Sequence, residues 1–148
     1  MPDPKNKYSF TFSFWIKLFG VTSSSTSPIL LKFDENSYFS YDDTLNNLKL
    51  IYNNNLAYET NFSQSISKWT LISLSNFSAK EYETISGSLS KLWINNTEIT
   101  PSLSWDNNTN KSEIQITKLE FGFEIIALVT NLRIYNYFIN NPYDYINK

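Results

Sequence analysis

The chain has 148 residues, a net charge of −2, and neither cysteine nor histidine. Those two zeros exclude disulfides, thiol nucleophiles, thiolate or imidazole zinc sites, and every catalytic triad that uses histidine as its base. Basic and acidic residues are interspersed, so there is no basic field for nucleic acid, and no apolar run approaches the ~18 residues of a membrane span. The opening residues also lack the charged-then-apolar layout of a signal peptide.

At this length roughly 70% of the unfolded surface can be buried, enough for a core without staples. Residues 1–148 therefore read as one globular domain, expected to be part of a larger protein. The chain carries 19 Asn and 20 Ser, a single Arg (Arg133) and three Gly. Asn enrichment with Lys in place of Arg is what an A+T-rich coding sequence produces. The 17% aromatic content leans towards β structure, because aromatic rings suit half-buried pleated surfaces.

In chain order, Tyr8, Phe10, Phe12, Phe14, Ile16 and Leu18 occupy alternate positions, with Ser9, Thr11, Ser13 and Lys17 between them. Period-2 alternation predicts a strand with one face in the core. Trp15 and Phe19 interrupt the polar face, so that face is expected to be covered near its end. Gly20 and the polar run to Ser27 form a loop. Strands follow at 29–33 and 37–41, separated by the turn residues Asp34, Glu35 and Asn36.

Residues 48–52 and 56–62 flank Asn53, Asn54 and Asn55, which read as a hairpin loop because Asn tolerates positive φ. Asn95–Asn96 repeats the device after Ile94. Further strands are predicted at 67–77, at 114–124 with a bulge where the apolar parity switches, and at 128–139. The count is about eleven strands with no amphipathic helix, followed by a polar tail. Turns every 8–12 residues point to an antiparallel sandwich or barrel. Phe10, Phe12, Phe14, Ile16, Leu71, Ile94, Leu132 and Ile134 are expected in the core.

Four segments in this order resemble laminin-G-type members of the concanavalin A-like lectin/glucanase superfamily. FTFSFWIKL (10–18) is similar to that family's opening strand, and SKWTLISLSNF (67–77) to its mid-domain tryptophan strand. SLSKLWINNTEI (88–99) looks like the hairpin that typically ends in Asn-Gly, here Asn95–Asn96. NLRIYNYFI (131–139) is similar to the closing strand. The resemblance implies an all-β jelly-roll sandwich of two antiparallel sheets. The family's acidic pair before the closing motif is replaced by Asn131–Leu132, so its calcium-supporting carboxylate has no match. A fold that carries lectins, adhesion modules, glycosidases and scaffolds does not by itself settle function.

A glycoside hydrolase needs two facing carboxylates. The nearest run, Glu120-Phe-Gly-Phe-Glu124, puts its two carboxylates on one strand face but ~13 Å apart, and reads as exposed charge. The chain is therefore expected not to be an enzyme. Calcium needs six to eight oxygens; Asp34, Asp42 and Asp43 are the candidate ligands, with solvated turn chemistry as the ordinary alternative and no other cofactor implied.

Sugar binding needs an aromatic platform with amide or carboxylate partners. Trp105 with Asp106, Asn107 and Asn108, together with Tyr38 and Tyr41, offer that chemistry, whereas Trp15, Trp69 and Trp93 read as strand packing. The ordinary alternative for Trp105 is a loop tryptophan folded onto the rim. Five Asn-x-Ser/Thr sequons, at Asn61, Asn76, Asn95, Asn107 and Asn110, are about what the composition produces by chance. The expectation is a non-catalytic binding or adhesion module at the cell surface or outside the cell. Its ligand is expected to be glycan, with a protein-interaction role inside a larger assembly as the alternative.

Overall fold

The computed structural model describes residues 9–22, 28–78, 88–102, 116–122 and 124–146. Among these residues ten strands run in order: β1 (Phe10–Val21), β2 (Ile29–Asp34), β3 (Ser37–Asp42), β4 (Asn47–Tyr52), β5 (Asn55–Asn61), β6 (Trp69–Ser78), β7 (Ser88–Ile94), β8 (Thr97–Ile99), β9 (Glu120–Phe121) and β10 (Ile125–Tyr135). They form two five-stranded sheets, β10-β1-β6-β7-β8 and β5-β4-β3-β2-β9, with every pairing antiparallel. The fold is an all-β sandwich, one of the two architectures the turn spacing allows and the one the resemblance implies.

Alternation fixes which face each sheet presents inward. Phe10, Phe12, Phe14, Ile16 and Leu18 of β1 are all buried, and so are Phe33, Phe39, Tyr41, Leu50 and Tyr52 of the facing sheet. Phe12 touches Phe14, Phe33 and Phe39 at centroid distances of 5.3 to 6.3 Å. The tilted and edge-to-face pairs with Phe33 and Phe39 add to the burial energy.

Asn supplies the turns that glycine supplies elsewhere. Asn53 and Asn54 have φ of 45° and 66° between β4 and β5, and Asn95 has 53° between β7 and β8. Left-handed residues in pairs give the turn twist that matches a hairpin, and Asn accepts that geometry more readily than other side-chain-bearing residues.

The structure departs from the sequence reading in several places. Leu132 and Ile134 are 39% and 52% exposed, because β10 is an edge strand that the second sheet leaves largely uncovered. Ile94 is half-buried, packed against the core. The predicted strand at 114–124 reduces, among the described residues, to β9. It stops at Gly122, whose N–H bonds to the carbonyl of Leu30 at 2.9 Å. The polar tail contains a short helix, α1 (Pro142–Ile146).

The outer face of β1 is covered at its start rather than near its end. Thr11 and Ser13 there, with Ser73 and Ser75 of β6 opposite them, are fully buried although polar. The segment after β10 crosses this face as a strap. Its Ile139 and Pro142 are buried, while Phe19 at the far end of β1 is 44% exposed.

Candidate functional site

Of the residues singled out for ligand binding, Trp105, Asp106, Asn107 and Asn108 lie outside the described residues. Tyr38 lies half-buried on the outer face of the second sheet, between Lys32 and Ile51. Tyr41 is on the inner face and fully buried. Its hydroxyl donates to Asn46 Oδ1 at 2.6 Å. Burial, with the charges of Asp43 and Asp42, raises its pKa. Tyr41 is a core residue and gives a ligand no open ring face.

The structure does not bring the proposed calcium ligands together. Asp34 stands opposite Ser37 at one end of β3 and Asp42 ends the same strand. Five strand steps place them roughly 17 Å apart. Asp34 accepts from Thr117 Oγ1 at 2.9 Å. Asp42 accepts the N–H groups of Thr44 and Leu45 at 2.9 and 3.1 Å, and pairs with Lys49 at 3.8 Å. Turn capping thus occupies Asp42, and a hydroxyl of a distant segment occupies Asp34, while Asp43 is exposed next to Asp42. Glu120 and Glu124 do not share a strand either, since β9 ends at Phe121.

Two surfaces escaped the sequence reading. The first is a tyrosine shelf. Tyr135 closes β10 on the outer face, opposite Thr11. The strap and α1 return Tyr137 and Tyr145 to it, at centroid distances of 5.6 and 5.8 Å and interplanar angles of 57° and 88°. The hydroxyls of Tyr137 and Tyr145 lie 3.2 Å apart, and that contact is the main cause of a raised pKa at Tyr137. Both rings stay exposed, at 42% and 48%. Arg133 stands two residues before Tyr135 on the same face, opposite Ser13. Asn141 Nδ2 donates to Asn96 Oδ1 at 2.9 Å and to Asp144 Oδ2 at 3.3 Å. Three rings therefore meet where the tail folds back, with Arg133 on the same face of β10 and Asp144 on α1. Spacing along the chain carries no sign of this, because the strap creates it.

The second surface is apolar. Phe121 of β9 and Val129 of β10, each 38% exposed, flank a shallow pocket floored by Ile16, Leu30 and Ala127. It opens where the two sheets part at the β9 and β10 edges.

No protein-family model and no curated protein matches the sequence. Solved structures do. The binding domain of botulinum neurotoxin serotype D superposes with a TM-score of 0.65 at 16% identity, over 99% of this chain and 38% of that one. A Trypanosoma rangeli sialidase mutant displaying trans-sialidase activity gives 0.63 at 15% identity, over 93% of this chain and 22% of its own. The binding domain of botulinum neurotoxin DC, solved in complex with rat synaptotagmin II, gives 0.59 at 15% identity, over 94% and 35%. Likeness at these identities shows the fold alone, a two-sheet β-sandwich. The chain spans well under half the length of each of these neighbours.

Proposed function

We propose that the chain is a non-catalytic, laminin-G-like binding module of a larger surface or extracellular protein, and that its ligand is carbohydrate. The observation that carries the ligand class is the tyrosine shelf. Exposed tyrosine rings offer the apolar face on which a pyranose stacks, and the exposed Asp144 and Arg133 offer polar groups to fix its orientation. Binding domains among the structural neighbours support a binding role in general. The sialidase neighbour does not carry its chemistry over, since this chain spans 22% of it.

A glycan-array screen of the domain tests the reading. Wild-type protein is expected to retain a defined set of glycans, and Tyr137→Ala with Tyr145→Ala to lose them while melting as wild type does. Trp105→Ala, run beside them, separates the shelf from the Trp105 loop. An array on which wild-type protein binds nothing overturns the carbohydrate reading.

A protein ligand is the second reading, and a different observation favours it. β10 exposes Ile126, Leu128, Val129, Leu132 and Ile134, more apolar surface than a lone edge strand normally leaves in water.

A further inference from the structure

Among the described residues the two sheets end in four edge strands, and three of them are blunted. β8 has three residues and β9 two. β5 carries exposed Asn55, Glu59 and Asn61. Short length and outward polar or charged groups are the usual defences of a strand whose outer N–H and C=O groups lack a ladder partner. β10 has neither defence. It runs eleven residues, Arg133 is its one charged side chain, and its five exposed aliphatic residues are 38% to 53% accessible.

We propose that β10 is a dimerisation strand, joining antiparallel to β10 of a second copy of this chain and extending the β10-β1-β6-β7-β8 sheet across a two-fold axis. The occupant follows from register and charge. Antiparallel pairing is the arrangement in which a strand meets its own copy about a two-fold axis normal to the sheet. Residues that face each other across such a pair must lie on the same face of the sheet. Leu128 pairs with Lys17 and Thr130 with Trp15 on the outer face, whereas Val129 pairs with the buried Ile16.

An axis at Leu128 therefore sets Leu128 against its copy, Ile126 against Thr130, and Ala127 against Val129. Every contact matches face with face. The stretch Ile125–Thr130 contains no ionisable group, so no charge meets its like, which would be destabilising directly across a strand pair. Arg133 falls outside that stretch. It follows Asn131, whose φ of 54° marks the bulge where the β1 ladder slips register. A strongly charged partner would find nothing to pair with in the six residues before the bulge. A neutral, apolar copy of the same strand fits them.

Sedimentation equilibrium across a concentration series tests this, and is independent of any sugar. Wild-type protein is expected to pass from a 17.3 kDa monomer to a species of twice that mass. Leu128→Lys sets two ammonium groups facing each other at the axis, and loss of the dimer is expected with an unchanged far-ultraviolet circular dichroism spectrum. Leu128→Thr keeps a β-forming residue and removes the apolar contact, so it gives the same reading if the lysine variant does not fold. Arg133→Ser is expected to leave the dimer intact. A wild-type protein that stays monomeric throughout overturns the proposal. So does a dimer indifferent to a folded Leu128 variant, a dimer lost with Arg133→Ser, or open-ended aggregation instead of a closed pair.

Discussion

Thr11 on β1 and Ile139 on the C-terminal strap are joined through a side chain rather than a ladder. Thr11 Oγ1 accepts the N–H of Ile139 at 2.8 Å and donates to the carbonyl of Tyr137 at 2.8 Å. Ser75 Oγ, 2.9 Å from Thr11 Oγ1, donates to the carbonyl of Ile139 at 2.7 Å. Two hydroxyls of neighbouring strands thus take up three backbone groups of the strap, and the two bonds to Ile139 are buried. Thr11→Val keeps the shape and leaves an N–H and a carbonyl without their partner. It is expected to cost about 1–3 kcal/mol in urea unfolding, the usual penalty of orphaned buried groups. Thr11→Ser should recover most of it. A valine variant as stable as wild type would mean that the strap does not depend on this hydroxyl.

That relationship marks the limit of what the sequence discloses. The alternation of Phe10, Phe12, Phe14 and Ile16 is a local signal, and it places the inner face correctly because burial acts on every second residue. The same alternation labels Thr11 and Ser13 as solvent-facing. They are buried because the strap crosses them, and that crossing is set by residues more than a hundred positions away. Leu132 and Ile134 fail for the opposite reason. Their apolar pattern is that of a core strand, but the strand sits at an edge where the second sheet does not reach. The tyrosine shelf is invisible to spacing for the same cause as the buried Thr11, since the returning tail assembles both.

The β4–β5 turn gives a sharper test of asparagine standing in for glycine. Asn54 sits at φ 66° and is exposed. Asn54→Gly removes the residual strain of a side chain in the left-handed region, and is expected to raise the melting temperature slightly. Asn54→Val puts a β-branched side chain there and is expected to cost about 1–2 kcal/mol, the scale of the left-handed penalty. Equal stability of the glycine and valine variants in thermal melts would show that the turn relaxes to another conformation.

Gly122 carries a different requirement, close approach rather than conformation. A Cβ built there would lie 1.8 Å from the carbonyl oxygen of Ile29, a backbone atom that cannot rotate away. Gly122→Ala must therefore lift β9 off β2 and break the bond from its N–H to Leu30. An overpacking cost of about 1–3 kcal/mol is expected. Hydrogen exchange should report faster loss of the residue 122 amide than in wild type, with the Phe12 region still protected. An alanine variant with wild-type stability and exchange would show that β9 is not seated as described.

The buried tyrosines set the behaviour at high pH. Burial is the main cause that raises the pKa of Tyr41, with Asp43 and Asp42 adding to it, and burial likewise raises that of Tyr52 well above its ordinary value. An unfolded tyrosine ionises near pH ~10. Above that value the unfolded chain has released protons that the folded chain still holds, so stability falls as pH rises. The contribution is intact below the unfolded pKa and is lost as pH climbs towards the folded one. Unfolding free energy should therefore hold steady through neutral pH and decline above about pH 10. Tyr52→Phe and Tyr41→Phe each remove one ionising group and should flatten the decline, whatever they do to stability at neutral pH. An alkaline slope identical in wild type and both phenylalanine variants would show that neither hydroxyl is held in its neutral form by the fold.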